Sequence, residues 1–320
     1  MNLSREKLLA EAAATGFRAN MLEKVARLLA LLDGFQAHPF LKGKLALKGG
    51  TALNLFIFDV PRLSVDIDLN YVGAADREGM LAERPKVEQA VVAVCEREGF
   101  QVRRVPSEHA GGKLLLRYQG ALGDTGNLEV DLNFLLRVPL WPIVGMDSNP
   151  AGSFRATKVP VLDLHELAAG KLAALLARRA SRDLFDAHAL LGRADIDAER
   201  LRLGFVVYGG INRKDWREVK TSDIDFEQRE LEEQLLPLLG GETYEAWRSS
   251  AKRILRECRT RMKMVLPLRK NEKQFLDQLL DEGEIAPKLL TDDPELIARI
   301  AKHPGLEWKA LNVKQYKPPG

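Results

Sequence analysis

Two aspartates at alternate positions of one short segment are the residues most suited to chemistry. Asp66 and Asp68 belong to RLSVDIDLNYV (62–72), in which apolar and polar residues alternate as in a half-buried strand. Both carboxylates should therefore face the same side, with Cα atoms about 7 Å apart. Two like charges this close repel, and a hard divalent cation such as Mg²⁺ would relieve the repulsion. The alternative is a pair of solvated aspartates on an open sheet face.

The residues just before this segment could bind phosphate. Glycines allow a ligand to approach the backbone closely, and the start of a helix offers free N–H groups to an anion. Lys48-Gly49-Gly50-Thr51 stands at such a junction of strand and helix. The alternative is an ordinary turn capped by Thr51. The residues that we expect to contact a nucleotide are Lys48, Gly49, Gly50, Thr51, Arg62 and Ser64.

A second alternating segment, LEVDLNFL (128–135), could supply a third carboxylate. Glu129 and Asp131 share the polar face of this predicted strand, and we favour Asp131 as a ligand. A carboxylate on a neighbouring strand would complete a site of the two-metal type, in which Asp66, Asp68 and Asp131 hold Mg²⁺ or Mn²⁺. The alternative is a polar outer face that binds no metal.

Lys171 lies in the apolar stripe of a predicted helix. An ammonium group in such a stripe is costly unless it meets anions, such as those of a bound triphosphate. The alternative is a lysine whose head reaches solvent at the edge of the stripe. In the RDLFD segment (182–186), Asp183 and Asp186 are spaced to share a helix face. We expect these acids to assist catalysis, to hold Lys171 in place, or to form ordinary salt bridges.

Positive charge is concentrated in residues 248–270, where nine basic residues and one acid give a net +8 against +3 for the whole chain. Five of the basic residues recur every three or four positions, and so share one face of a predicted helix: Arg248, Lys252, Arg256, Arg259 and Lys263. The opposite face is apolar: Ala251, Ile254, Leu255, Cys258 and Met262. A helix that is basic on one side is suited to an RNA backbone. The alternative is a solvated charged face.

The elements that must position these residues alternate between helix and strand. Apolar periodicity predicts helices at 4–33 (punctuated by Gly16 and Gly34), 51–58 and 84–98, the last with Pro85 in its first turn. Strands are predicted at 44–50, 62–72, 100–105, 113–119 and 127–136, with turns at GGK (111–113) and GDTGN (123–127). From residue 160 the chain should be mostly helical, starting at a capping box formed by Asp163 and Glu166.

Composition is that of a globular α+β protein, with 46% hydrophobic and 29% charged residues, and it excludes fibrous and largely disordered classes. With no apolar run of about 18–20 residues, no secretory signal and two cysteines, we expect a cytoplasmic protein without a membrane partner. We divide the chain into a helical segment (1–37), a catalytic core (38–158), a helical part that completes the site (159–200) and a mostly helical C-terminal domain (201–320).

Together these motifs resemble the AbiEii/AbiGii family of nucleotidyltransferase toxins, which includes the mycobacterial MenT-type toxins. The resemblance rests on LKGGTAL, RLSVDIDL, VDLNF, K-x-x-A-L-x-x-R and RDLFD, and it covers most of residues 40–195. It implies a polymerase-β-like nucleotidyltransferase core, a mixed sheet with flanking helices, joined to a helical C-terminal region. The family's signature residues correspond to Gly50, Thr51, Asp66, Asp68, Lys171, Asp183 and Asp186. Thr51 stands where the family usually has Ser, and the gap to the acids is longer.

The resemblance implies a toxin of a type IV-like toxin–antitoxin or abortive infection system. Such an enzyme would bind NTP and Mg²⁺, transfer a nucleotide to RNA, as MenT-type toxins do at the tRNA 3′ end, and so block translation. Its partner would be an antitoxin encoded nearby, usually a DNA-binding regulator. Alternatives are a nucleotidyltransferase acting on a protein or on a small molecule such as an aminoglycoside, a kinase-like phosphotransferase, and a non-catalytic binding module. The kinase lacks support because no G-x-G-x-x-G loop or D-F-G is present.

Overall fold

The structure, a computed structural model, describes residues 3–105 and 111–316. The chain forms two compact units. The first unit comprises Met1–Arg137, Ile143–Leu162 and Leu236–Arg248, and the second comprises Val138–Pro142, Asp163–Leu235 and Ser249–Gly320. In the described ranges no helix has both the length and the hydropathy that a membrane crossing requires.

The first unit contains a seven-stranded mixed sheet. Its strands are β1 (Leu45–Lys48), β2 (Asp66–Tyr71), β3 (Gln101–Val105), β4 (Gly111–Gln119), β5 (Thr125–Asn133), β6 (Val144–Met146) and β7 (Val159–Val161). The strand order is β3-β4-β5-β2-β1-β7-β6. The β2–β5 and β1–β7 pairs are parallel, and the other neighbouring pairs are antiparallel. The predicted α+β class and mixed sheet are therefore confirmed.

Helices cover one face of this sheet. The helices that lie wholly in the first unit are α1 (Arg5–Thr15), α2 (Ala19–Ala37), α3 (Gly49–Ala52) and α4 (Arg77–Arg97). α2 contacts β5 and β7, and α4 contacts β3. The alternation that the sequence predicts for β2 and β5 is observed, because Ile67, Leu69, Val130 and Leu132 are buried. The acidic residues between them are left on the other face.

The second unit is helical, as predicted for the chain beyond residue 160. Its helices are α5 (Leu164–Ala177), α6 (Ser181–Leu190), α7 (Ala198–Ile211), α8 (Gln228–Glu230), most of α9 (Gly241–Arg261), α10 (Lys270–Asp277), α11 (Pro294–Ala301) and α12 (Pro304–Tyr316). α5 contacts both α6 and α7, and α12 contacts α7. These contacts bury apolar side chains such as Leu172, Leu184 and Phe205.

Several predicted boundaries differ from the structure at glycine and proline. The first predicted helix is two helices, because Gly16 takes a left-handed conformation (φ 72°) and ends α1. Gly34 does not end α2 but lies inside it, where an added Cβ would come within 2.9 Å of Val94. α4 begins at Arg77, after the cap residue Asp76, so Pro85 is inside the helix instead of in its first turn.

Other differences concern strands and one cap. Gly111 and Gly112, predicted as a turn, belong to β4, and β2 starts only at Asp66. The three-residue strands β6 and β7 were not predicted, because so few residues show no alternation. Glu166 does not complete a capping box, since its buried carboxylate accepts hydrogen bonds from the main chain of Leu140 and from Tyr208.

Candidate active site

Four charged side chains stand in one row across four neighbouring strands of the first unit. Lys48 is opposite Asp68, Asp68 is opposite Asp131, and Asp131 is opposite Lys113. Residues directly opposite in a sheet point to the same face, and neighbouring strands are about 4.8 Å apart. Two aspartates therefore lie side by side with a lysine on either flank. The structure thus brings Asp68 and Asp131 together, as the sequence predicts.

A second row runs beside the first and adds two more acids. Asp66 is opposite Glu129 on the same face. The ammonium of Lys113 lies 2.6 Å from Oε2 of Glu129, and this hydrogen bond raises the pKa of Lys113. Glu129 thus has a lysine partner, whereas Asp131 lies between Asp68 and Lys113 in the first row. The preference for Asp131 over Glu129 as a metal ligand stays a prediction.

The environment of Asp131 favours a nearby positive charge. Burial raises the pKa of this carboxyl above its ordinary value, and the charge of Asp68 adds to the rise. Lys48 and Lys113 act in the opposite direction. An anion that is partly desolvated beside another anion is stabilised by any cation that binds between them. The row can therefore attract a metal ion or a cationic group.

The donor set suits Mg²⁺ or Mn²⁺, because it consists of carboxylate oxygens alone. Among the described residues no three His, Cys, Asp or Glu side chains form a group that could hold a metal ion. A complete protein cage is not required, since Mg²⁺ is usually held by one or two carboxylates while water and substrate phosphates fill its other positions. The assignment of Asp66, Asp68 and Asp131 as metal ligands remains a prediction.

The turn between β1 and α3 is shaped by two glycines. Gly49 has a φ of 72°, and a Cβ built on it would lie 2.2 Å from Oδ2 of Asp68. A Cβ on Gly50 would lie 2.8 Å from Nη2 of Arg62. The missing side chains therefore let a carboxylate and a guanidinium approach the same stretch of backbone. Arg62 is 2% exposed, which makes it a buried cation at this turn.

Thr51 has a different environment from the one predicted for a phosphate ligand. Its side chain is fully buried, and its hydroxyl donates a hydrogen bond of 2.5 Å to the main-chain carbonyl of Asp66. The hydroxyl oxygen of Ser64 lies 3.0 Å away. These contacts tie the first turn of α3 to the start of β2. Thr51 and Ser64 therefore support the strand that carries the aspartates.

The second unit contains an ionic cluster in which Lys171, Asp183 and Asp186 are buried and the exposed Arg178 joins from the surface. The Lys171 ammonium lies 2.8 Å from Asp183 and 2.9 Å from Asp186, and all three side chains are at most 9% exposed. Arg178 also binds Asp183, at 2.6 Å. Burial alone would raise the pKa of Asp183, but the two cations outweigh it and hold this pKa below its ordinary value. The predicted arrangement in which the acids hold Lys171 is therefore present.

The basic residues near the C-terminus share a helix face as predicted. Arg248, Lys252 and Arg256 are exposed on α9, and Lys263 is exposed on the turn that follows. Arg259 is half-buried, because its guanidinium donates two hydrogen bonds to the carbonyl of Ile224. The predicted apolar face is buried: Ala251, Ile254, Leu255, Cys258 and Met262. Nothing in this geometry identifies a ligand, so RNA binding here stays a prediction.

Lys113 is the residue of this site that sequence reasoning missed. It follows Gly111 and Gly112, and a turn was therefore predicted where β4 begins. A partial signal is present in KLLLRYQ (113–119), where Lys113, Arg117 and Gln119 fall on one face of a strand, although Leu115 interrupts the alternation. Register with β5, which places Lys113 beside Asp131, could not be read from the sequence.

Comparisons with known proteins agree with the resemblance noted from the motifs. Residues 30–275 match the model of a family described as nucleotidyl transferase AbiEii toxin, type IV toxin–antitoxin system. No curated protein matches the chain. Among solved structures, MenT4, a nucleotidyltransferase toxin from Mycobacterium tuberculosis H37Rv, matches with a TM-score of 0.60 and 19% sequence identity. The match covers 94% of this chain and 99% of MenT4, and it establishes a shared fold.

Proposed function

This chain belongs to the AbiEii family of nucleotidyltransferase toxins, which act in type IV toxin–antitoxin systems, and from that premise we propose its substrate and mechanism. We propose that it transfers a nucleoside monophosphate from an NTP to the 3′ end of RNA, with tRNA as the acceptor. Such an addition would block aminoacylation and therefore translation. Residues 38–158 would form the catalytic core within this scheme.

The observation that carries the proposal is the pairing of Asp68 with Asp131 beside the Gly49-Gly50 turn. Nucleotidyl transfer needs carboxylates that face the α-phosphate and an open backbone that accepts the remaining phosphates. Both features belong to the first unit, on adjacent strands. Lys48 lies in the same row, next to Asp68, where its charge would offset that of the phosphates.

In the proposed reaction the acceptor hydroxyl attacks the α-phosphorus in line with the leaving group. A new P–O bond forms to the acceptor oxygen, the bond from the α-phosphorus to the oxygen that bridges to the β-phosphate breaks, and pyrophosphate leaves while the hydroxyl passes its proton to solvent water. A bound Mg²⁺ or Mn²⁺ would supply Lewis-acid stabilisation of the phosphoryl oxygens. One or two carboxylates of the set Asp66, Asp68 and Asp131 would hold it, and Gly49, Gly50 and Arg62 would contact the phosphates.

Lys171 is proposed to offset charge on the leaving pyrophosphate, with Asp183 and Asp186 as the residues that position it. The support for this role is the correspondence with the family's later lysine and acids, together with the close ion pairs of the cluster. A purely structural role makes a different prediction: Lys171→Arg would then preserve stability and the rate of transfer alike. Loss of transfer in a folded Lys171→Arg protein would support the catalytic role.

The remaining parts of the proposal concern the partners. The basic face of α9 is suited to an RNA backbone, since Lys252 and Arg256 are exposed and carry no acid between them on that face. If RNA binds there, Arg256→Glu should weaken binding, and the affinity of the unmodified protein should fall steeply with salt. We further propose that this toxin acts in the cytoplasm. An antitoxin encoded nearby would neutralise it, and that antitoxin would also bind DNA.

The deciding experiment incubates the protein with each α-labelled NTP, a divalent cation and total RNA. Transfer of label to RNA is expected from the wild-type protein and not from Asp66→Ala or Asp68→Asn. Asp59→Asn, which changes an exposed acid of the same unit, is the matched control and should retain transfer. Full activity in Asp66→Ala would refute the mechanism.

The same experiment separates the alternatives. Label that appears on protein or on an added aminoglycoside would identify another acceptor class. Transfer from γ-labelled and not from α-labelled NTP would identify a kinase-like phosphotransferase. Calorimetry that detects no metal-dependent binding of NTP would favour a non-catalytic module.

A further inference from the structure

The sheet face that carries the aspartates continues to a basic edge. β4 follows β5 in the sheet, and β3 follows β4 as the edge strand. Lys113 is opposite Asp131, Arg117 lies four residues further along β4, and Arg103 of β3 is opposite Leu115 between them. Because opposite residues share a face, these three cations are on the face of the carboxylates. We call Arg103, Lys113 and Arg117 the basic edge.

The basic edge is accessible and carries no acid of its own. Arg103 and Arg117 are exposed, and the side chain of Lys113 is 43% exposed. The described residues of β3 and β4 that share this face are Gln101, Arg103, Val105, Gly111, Lys113, Leu115, Arg117 and Gln119. The neighbouring acids are Glu129 of β5, which is paired with Lys113, and Asp131 of β5, which is opposite Lys113. An exposed strip of this kind attracts a polyanion.

The order of the strands shows on which side of the carboxylates the basic edge lies. The Gly49-Gly50 turn follows β1, on one side of the β2–β5 pair, and β4 and β3 lie on the other side. In an in-line displacement the attacking and leaving oxygens are on opposite sides of the phosphorus. If the leaving pyrophosphate lies at the glycine turn, the acceptor hydroxyl must arrive from the side of β4.

We propose that the basic edge binds the phosphate backbone of the nucleic acid strand whose terminal hydroxyl is the acceptor. This inference rests on the proposed function, and it adds the surface that guides the acceptor to the carboxylates. Lys113 and Arg117 are about 13 Å apart along β4. Cations spaced over this distance can contact successive phosphates of a nucleic acid strand, and such contacts do not depend on the base sequence.

The test uses charge reversal at the two arginines, because Lys113 is too close to Asp131 to change without affecting the carboxylates. In Arg103→Glu/Arg117→Glu we expect the KM for RNA to rise roughly tenfold near physiological salt, and the slope of log affinity against log salt to fall by about 2. The NTP dissociation constant measured by calorimetry should not change. Arg155→Glu, an exposed arginine in the segment between β6 and β7, is the matched control.

Each result has a definite meaning. If the wild-type protein labels RNA but the double variant keeps its KM and salt slope, the basic edge is not the acceptor surface, and the proposed function stands. If the wild-type protein labels no RNA, both proposals fail. If the double variant keeps its KM but no longer binds the cognate antitoxin, the surface binds protein and this inference is overturned. If charge reversal prevents folding, Arg103→Gln/Arg117→Gln is used in its place. Because it removes each charge without reversing it, the expected change in KM and in salt slope is about half as large.

Discussion

Gly49→Ala should damage the site through one added methyl group. The new Cβ would lie 2.2 Å from Oδ2 of Asp68, and the carboxylate must retreat by about 1 Å to reach ordinary van der Waals distance. Alanine must also take a φ near 72°, which costs about 1–2 kcal/mol for an L-residue. A displacement of about 1 Å at a reacting group can reduce a rate by roughly 100-fold. We therefore expect a modest loss of stability and a large loss of transfer.

Gly43→Ala provides the matched control for this prediction. Gly43 has a φ of 75°, and a Cβ built on it meets no atom within 4 Å. The two variants should lose similar free energies of unfolding in urea, whereas only Gly49→Ala should lose transfer of label from α-labelled NTP. Transfer by Gly49→Ala at the wild-type rate would refute the assigned contact with Asp68. An equal loss in Gly43→Ala would show that backbone strain, and not the displaced carboxylate, causes the effect.

Three further predictions concern buried polar groups. Thr51→Val should lower the free energy of unfolding in urea by about 1–3 kcal/mol, because the carbonyl of Asp66 loses the hydroxyl that donates to it. Thr51→Ser keeps that hydroxyl and should keep the stability of the wild-type protein. Equal stability of the two variants would contradict this account. Lys171→Met should cost about 3–5 kcal/mol by leaving two buried carboxylates without their lysine, and a loss below 1 kcal/mol would argue against a structural role. Burial raises the pKa of Glu166 from 4.5 to about 7, so its contribution to stability is present below pH 4.5 and is lost as pH rises toward 7. In Glu166→Gln the free energy of unfolding measured in urea should depend less on pH between pH 4.5 and 7. An unchanged pH dependence would count against the raised pKa.

Local patterns were sufficient to predict several features of both units. Alternation alone predicted which residues of β2 and β5 carry acids and which are buried, because the side-chain period of a strand is independent of its partners. The stripe containing Lys171 and the spacing of Asp183 and Asp186 likewise follow from helix geometry. The predicted basic face of α9 needed nothing beyond a period of 3.6 residues.

Features that depend on strand order could not be predicted in this way. The row from Lys48 through Asp68 and Asp131 to Lys113 joins four segments whose order in the sheet differs from their order in the chain. Packing also decides the role of Thr51, since its hydroxyl turns toward the carbonyl of Asp66 only once α3 and β2 are in contact. Local signals for Gly34 and Pro85 were overridden for a related reason: tertiary contacts stabilise helices through residues that weaken isolated ones.

The segment just before β2 is held by residues from far along the chain. The amide of Leu63 donates to the carbonyl of Leu238, and Arg62 forms a β-bridge with Leu239. During synthesis, the stretch that leads into Asp66 gains these partners only after residue 239 of 320 has been added. Nascent chains and fragments that end earlier lack this support, so assembly of the aspartate pair and production of the C-terminal part of the chain are linked in time.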